Sequence, residues 1–201
     1  MLATASPHKT EEIATILRAA LPGIELVPRP EGVPDVVEDG VTFEDNARLK
    51  AVALCEATGL AAIADDTGLE VDALGGAPGV HSARFAAGPD EPPDVERNVA
   101  LLLERLRGVP PERRAARFVT VALARYPDGR EVAAFGDVEG RIVGDEHAVN
   151  TGFAYDRVFA PREGDGRTFA EMTPEEKHEI SHRGRAFRTL ADGLRIVEEI
   201  G

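Results

Sequence analysis

Helical and strand-like patterns alternate along this chain, and that alternation is the strongest constraint on its fold. Apolar spacing predicts a first helix that ends at 21–23, followed by a strand over 24–27. A second helix is predicted to begin near Thr42 and to stop at Gly59, and the apolar run 60–64 predicts a short buried strand after it. This succession of helices and strands is typical of α/β proteins.

The second half of the chain adds a β-hairpin to this pattern. Strand-like runs over 118–126 and 131–139 flank Pro127-Asp128-Gly129, which is a strong turn signal and predicts antiparallel pairing. No repeat and no linker is visible, so we expect one domain over 1–201, an α/β fold with a mixed central sheet flanked by helices. Three further helices are predicted, over 95–106, from Thr173 and after Ser181.

The charge balance excludes several classes of partner. Asp and Glu total 36 against 23 Lys and Arg, a formal net charge of −13, which opposes binding to nucleic-acid polymers and to anionic membrane surfaces. A polyanionic ligand would therefore need a local cationic pocket, a divalent metal, or both. The longest apolar runs are five residues, no secretory signal is visible, and Cys55 is the only cysteine, so we expect a cytoplasmic protein.

Residues 4–9 form a strand-to-helix turn that could cradle phosphate. Ser6 is placed to cap the first helix and Pro7 to begin it, while Lys9 adds a full charge one turn later. Such a turn presents free backbone N–H groups and the positive end of the helix dipole. The alternative is a capped helix with a solvated lysine, and the spacing alone favours that alternative.

Carboxylates cluster at two places in the first half of the chain. Asp65 and Asp66 follow the predicted strand 60–64, and paired carboxylates at a strand end can hold Mg²⁺. Glu44 and Asp45 lie in the first turn of the second helix, where they complement its dipole or complete the same metal shell. A solvated turn closed by a glycine is the alternative for the first pair.

Two later segments carry groups suited to a flat heterocycle. Phe153 and Tyr155 stand beside Asp156, which combines stacking faces with a hydrogen-bonding side chain, although core packing is the alternative for Phe153. Downstream, the cationic donors Lys177, His182 and Arg183 collect at a helix junction, where they could equally be solvated.

The joint order of these segments resembles one family. The stretch 65–80 with Ser82-Ala83-Arg84, and the segments around Asn46, 152–156 and 181–185, resemble the inosine/xanthosine triphosphate pyrophosphatases. Those enzymes hydrolyse deaminated purine nucleoside triphosphates. The resemblance spans nearly the whole chain and implies a two-lobed α/β fold with a groove between the lobes, a Mg²⁺ requirement and a homodimer.

The resemblance also implies roles for individual residues. Asp66 would be both a metal ligand and the general base for water, and Asp45 the second metal ligand, with Glu44 as the alternative. Around the triphosphate it places Thr4, Ala5, Ser6, Pro7, His8, Lys9, Lys50 and Lys177. Around the base it places Phe153, Ala154, Tyr155, Asp156, His182 and Arg183, with Thr67 against the substrate. The chain departs from the family pattern in carrying Ser6 for Asn, Asp45 for Glu, Thr67 for Ser, Ala154 for Gly and Arg157 for Pro.

The expected activity is Mg²⁺-dependent hydrolysis of ITP, dITP and XTP to the monophosphate and pyrophosphate. Asp156 would accept the N1–H of the base, and Arg183 or His182 would donate to O6, so adenine would meet mismatched partners. Two alternatives remain, a related pyrophosphatase with another base preference and a nucleotide-sensing protein without catalysis. The intact Asp65-Asp66 pair and Lys9 speak against the second.

Overall fold

The computed structural model describes residues 1–4, 7–88, 91–144 and 154–200. The helices in these ranges are α1 Pro7–Ala20, α2 Phe43–Thr58, α3 Val95–Arg105, α4 Pro174–Ile180 and α5 His182–Ile200. The strands are β1 Ala62–Val71, β2 Ala115–Arg125, β3 Glu131–Ile142 and β4 Phe159–Pro161. Two 3₁₀ turns matter below, Gly79–Arg84 and Ala154–Val158. No helix in the described ranges combines the length and the apolar character that crossing a membrane requires.

The strands form a sheet of order β1-β2-β3-β4, so the predicted α/β class is confirmed. The predicted hairpin joins β2 to β3, and β3 pairs antiparallel with β4 through Gly140 opposite Pro161 and Ile142 opposite Phe159. Parallel pairing enters through an isolated bridge between Leu2 and Ile63. The mixed character that the sequence predicts is thus confined, among the described residues, to this bridge.

The chain folds into two compact units that alternate along the sequence. The first unit contains 1–66, 120–136 and 182–201, and the second contains 67–119 and 137–181. Strands β1, β2 and β3 each run from one unit into the other. A groove between lobes stays a prediction, as does the treatment of the whole chain as one domain.

In the first unit, α1 and α5 pack together over an apolar core. The buried residues of this core include Leu2, Ile13, Leu17, Ile63, Phe187 and Leu190. Gly136 in β3 allows the backbone of α5 to approach closely, because a Cβ there would overlap the His182 carbonyl oxygen and the Ala186 nitrogen. The first unit therefore depends on a glycine at this strand position.

In the second unit, three phenylalanines pack around one another. Phe118 meets Phe159 edge-on with ring centroids 4.8 Å apart, and Phe169 lies 5.3 Å from Phe159. Helix α3 covers this cluster with Val99 and Leu102, both fully buried. Aromatic pairs of this kind contribute beyond their buried area.

All five predicted helices are confirmed, and several of their ends carry explicit sequence signals. Thr42 and Asp45 form a capping box at the start of α2, and Gly59 ends that helix in the left-handed conformation. Asp94 caps α3, and Thr173 with Pro174 opens α4. Caps satisfy the free backbone groups at helix ends, which is why the sequence locates these boundaries well.

One strand prediction is wrong, and another has the wrong ends. Residues 24–27 form no strand; the segment after them cannot extend strand pairing, because Pro28 and Pro30 lack an N–H and Arg29 donates to the Val33 and Pro34 carbonyls of its own loop. Strand β1 begins later than predicted and continues to Val71. The carboxylates of Asp65 and Asp66 consequently lie inside this strand, and the strand-end position predicted for them is wrong.

We expect Gly136→Ala to destabilise the protein by about 1–3 kcal/mol or more, because the added methyl forces β3 away from α5. Urea denaturation followed by circular dichroism measures the loss. Gly88→Ala is the matched control, because its Cβ would make only ordinary contacts, the nearest at 3.7 Å to Glu91. Equal stability of the two variants would contradict the close approach.

Candidate functional site

Asp66 is a buried carboxylate that accepts hydrogen bonds from two side chains of α2. Asn46 donates from Nδ2 to Asp66 Oδ2 at 3.1 Å, and Lys50 donates from Nζ to Oδ1 at 3.3 Å. Because Asn46 and Lys50 are four residues apart, they lie on the same face of the helix. One helix face therefore supplies both a neutral and a charged donor to the same carboxylate.

The loop before α2 adds a second carboxylate to this group. Glu38 Oε2 lies 3.0 Å from Lys50 Nζ, so the ammonium stands between Glu38 and Asp66. The backbone N–H of Gly40 donates to Asn46 Oδ1 at 2.8 Å, which fixes the loop on the helix. A Cβ at Gly40 would come within 2.6 Å of that oxygen, so the contact needs glycine.

Burial and charge act in opposite directions on these groups. Burial raises the pKa of Asp66, while Lys50 and the Asn46 amide hold that rise back. Burial lowers the pKa of Lys50, but attraction by Asp66, Asp65 and Glu38 outweighs it and raises the pKa above the ordinary value. Lys50 is therefore a firmly charged donor beside a carboxylate whose basicity is enhanced.

The two carboxylates in the first turn of α2 serve the helix itself. Asp45 Oδ2 accepts from the Thr42 hydroxyl at 2.7 Å and from the Thr42 N–H at 3.2 Å, completing the capping box. Glu44 pairs with Arg48 one turn along. Both side chains have the structural partners that their positions predict, and a metal role for Asp45 stays a prediction.

Sequence reasoning missed Glu38 and Asn46 as members of this group. Asn46 had a detectable signal, namely its four-residue spacing from Lys50 on a predicted helix. Glu38 had none, because its loop has no periodicity and only the tertiary fold brings it to Lys50.

Arg183 lies between two carboxylates of the first unit. Its Nη1 donates to Glu12 Oε2 at 2.7 Å, and its Nε lies 3.5 Å from Asp65 Oδ2. The Arg183 side chain is 4% exposed and that of Asp65 is 2% exposed. A guanidinium desolvated to this degree is stabilised by its paired carboxylates, and it ties α1, β1 and α5 together.

In the second unit, Asp156 and Lys177 form a short, shielded ion pair. Lys177 Nζ donates to Asp156 Oδ2 at 2.6 Å and lies 5.4 Å from the centroid of the Phe169 ring. The side chains of Asp156 and Lys177 are 5% and 15% exposed, respectively. This pair places an acceptor and a donor side by side on an aromatic surface.

Tyr155 is held away from solvent in the same unit. Its ring belongs to the apolar cluster, and its hydroxyl donates to the Ser82 carbonyl at 3.0 Å. Burial raises the pKa of the Tyr155 phenol, so it remains a donor. A direct contact of Tyr155 with a base stays a prediction.

The remaining predicted site residues are distributed as follows. Thr4 precedes α1, Pro7, His8 and Lys9 begin that helix, and Thr67 lies in β1. His182 begins α5 and is buried, while Ala154 begins a 3₁₀ turn. Ala5, Ser6 and Phe153 lie outside the described residues.

No group of three or more His, Cys, Asp or Glu side chains with metal-binding geometry occurs in the described part of the chain. Mg²⁺ in proteins is commonly bound through one or two carboxylates, waters and phosphate oxygens.

Comparison with known proteins gives one consistent result. The model of the Ham1 family matches residues 1–193. A dITP/XTP pyrophosphatase of Symbiobacterium thermophilum is 45% identical over 201 residues, covering 100% of this chain and 97% of that protein. A dITP/XTP pyrophosphatase of Streptomyces coelicolor is 46% identical over 97% of this chain and 96% of its own.

Solved structures agree with the sequence comparison. The structure of a HAM1 protein from Coxiella burnetii has a TM-score of 0.84 at 36% identity, covering 96% of both chains. That of a nucleoside-triphosphatase, dITP/XTP pyrophosphatase, from Mycobacterium abscessus has a TM-score of 0.70 at 44% identity, covering 94% of this chain and 95% of its own. Family match, full-length relatives and fold thus coincide, and the chain belongs to the Ham1 family.

Proposed function

We propose that this protein is a nucleoside triphosphate pyrophosphatase that hydrolyses deaminated purine nucleotides such as dITP, ITP and XTP. The observation that carries the proposal is the buried Asp66 carboxylate held by Asn46 and Lys50. A proton acceptor beside a fixed cation is what hydrolysis of a charged anhydride needs. Full-length relatives named dITP/XTP pyrophosphatase support the same reaction.

The donor set around Lys50 is chemically suited to Mg²⁺. Asp66 and Glu38 both hold the Lys50 ammonium, so this position already accommodates a positive charge between two carboxylates. We assign Asp66 and Glu38 as the carboxylates that would hold the ion, because the contacts of both with Lys50 Nζ place their oxygens around one position, whereas Asp45 Oδ2 accepts from Thr42 at the start of α2. When bound, Mg²⁺ neutralises phosphate charge and polarises the phosphoryl group under attack.

Residues of the chain itself have separate roles in the hydrolysis. Asp66 accepts a proton from the attacking water, a role favoured by the upward shift that burial gives its pKa. The water oxygen bonds to the α-phosphorus, the bond to pyrophosphate breaks, and the monophosphate is the second product. Lys50 and Lys9 stabilise the charge that develops on the phosphate oxygens, Lys9 from the first turns of α1.

We further propose that Asp156 and Lys177 recognise the base. Hypoxanthine and xanthine present an N1–H donor beside an O6 acceptor, and adenine presents the opposite polarity. An acceptor and a donor 2.6 Å apart suit the first edge, with Asp156 at N1–H and Lys177 at O6. This contact favours the base over the phosphates as the partner of Lys177, while Arg183 is engaged by Glu12.

A homodimeric state and a cytoplasmic location complete the proposal. Both rest on the family and on the composition of the sequence rather than on any contact of the chain. Sedimentation of the purified protein at several concentrations tests the first, and subcellular fractionation tests the second.

The deciding experiment is pyrophosphate release from ITP, dITP, XTP, GTP and ATP, with Mg²⁺ and with EDTA. We expect rapid release from the first three substrates, little from GTP and ATP, and none with EDTA. Nucleotide binding without release from any substrate would instead indicate a sensor.

Asp66→Asn should reduce kcat for ITP at least about a hundredfold, since an amide accepts no proton from water. The amide oxygen introduced by this substitution can still accept from Asn46 and Lys50 keeps its pair with Glu38, so we expect the variant to stay folded, with a melting temperature lowered by the loss of the Asp66 charge. Steady-state kinetics and thermal melting measure both effects. A variant with a tenth of the wild-type rate would show that another group is the base.

The Mg²⁺ requirement separates the two candidate second ligands. Glu38→Gln should raise the Mg²⁺ concentration for half-maximal activity about tenfold or more, because a neutral amide binds the ion poorly. Asp45→Ala should leave that concentration unchanged while lowering the melting temperature through loss of the capping box. Glu44→Gln is the control on the same helix turn, and a larger Mg²⁺ effect at Asp45 would reverse the assignment.

Asp156→Asn should narrow the preference for ITP over ATP. We expect kcat/KM for ITP to fall by about 10- to 100-fold, matching the cost of an unsatisfied buried partner, while ATP loses less or gains. Measuring kcat/KM for both nucleotides tests this directly. Equal proportional losses would mean that Asp156 shapes the site without reading the base.

A further inference from the structure

The 3₁₀ turn Ala154–Val158 presents three consecutive side chains to three different elements. Tyr155 contacts the turn Gly79–Arg84, Asp156 contacts α4, and Arg157 contacts α3. A 3₁₀ helix has 3.0 residues per turn, so consecutive side chains point about 120° apart. The two flanking contacts therefore control the rotation of the turn about its axis, and with it the direction of Asp156.

The Tyr155 contact is anchored deep in the second unit. Its hydroxyl donates to the Ser82 carbonyl, which also accepts from Asn98 Nδ2 at 3.4 Å. Asn98 donates to the Ala83 carbonyl at 2.9 Å and accepts from the Ala86 N–H at 2.7 Å. Asn98 is a buried residue of α3, so helix α3 fixes the position of the Tyr155 side of the turn.

The Arg157 contact is made to the same helix, two residues earlier. Arg157 Nη1 and Nη2 donate to the two oxygens of Glu96 at 2.8 and 2.7 Å. The Arg157 side chain is 13% exposed, whereas that of Glu96 is 73% exposed. A bidentate pair of this kind fixes orientation as well as distance.

We propose that Arg157 and Glu96 are positioning residues for purine recognition. They hold the 3₁₀ turn against α3 so that Asp156 faces Lys177. The inference rests on the base-reading role proposed above for Asp156. Without the pair, the turn keeps the Tyr155 contact and the bond from the Val143 N–H to the Val158 carbonyl, but its Arg157 side is no longer fixed on α3, so the direction of Asp156 is less tightly set.

The pair has a specific kinetic consequence. ITP gains from an Asp156 carboxylate held in place, whereas ATP, which offers no N1–H, gains nothing from it. Loosening the turn thus weakens ITP binding selectively and leaves proton transfer at Asp66 untouched. We therefore expect a higher KM for ITP and an unchanged kcat for ITP.

The test uses the full-length protein with Glu96→Gln and Arg157→Met, each assayed on ITP and ATP. We expect KM for ITP to rise about threefold to tenfold, with kcat for ITP and kcat/KM for ATP within about twofold of wild type. The reversed pair Glu96→Arg with Arg157→Glu should recover part of the loss. Glu139→Gln is the matched control, because it breaks an exposed Arg–Glu pair of the same unit, to Arg162 at 2.8 Å.

Several outcomes would overturn the inference. Parallel losses on ITP and ATP that track a lower melting temperature would reduce the pair to a structural role, as would a Glu139→Gln effect of equal size. Unchanged KM in both single variants would do the same. Asp156→Asn separates this failure from that of the proposed function: if it leaves the ITP preference intact, the base-reading role itself is wrong.

Discussion

The contact on which the candidate site depends is the placement of the Lys50 ammonium between Asp66 and Glu38. Asp65 and Asp66 are buried in the middle of β1, where an unpaired carboxylate would be strongly unfavourable. Lys50 and Asn46 satisfy one of them and Arg183 pairs with the other. Both carboxylates of this polar stretch of β1 thus have partners that offset the cost of burying their charge.

The same buried charges link distant parts of the first unit. Arg183 brings together Glu12 from α1 and Asp65 from β1, and Lys50 fastens the loop carrying Glu38 to α2. Paired charges of this type cost more to break than they contribute when formed, so they specify one arrangement rather than add much stability. A site built in this way is already organised before any nucleotide binds, which is what electrostatic catalysis requires.

In the second unit, α3 is the element to which the smaller pieces are fastened. Asn98 donates to a carbonyl of the 3₁₀ turn Gly79–Arg84, and Glu96 pairs with Arg157 of the turn Ala154–Val158. Val99 and Leu102 of the same helix pack in the core. Polar residues on α3 thus position two short 3₁₀ turns, one through its carbonyls and the other through the Arg157 side chain. The sequence predicted α3 from its apolar positions and assigned no role to Asn98 or Glu96, since a lone polar residue on a helix carries no pattern.

Local signals in the sequence determined the helices, the hairpin, the Asp65-Asp66 pair after an apolar run and Asp156 beside two aromatic residues, while the family resemblance singled out Lys50. Caps, turn residues and periodicity are properties of neighbouring residues, so they can be read without the fold. The tertiary structure alone decided where β1 begins and ends, and it shows no strand at 24–27. It also decided that Glu38 contacts Lys50 and that Asp156 pairs with Lys177. The two ion pairs depend on which desolvated charges come within reach of each other, and residues 12 or 21 positions apart along the chain are brought into contact only by packing.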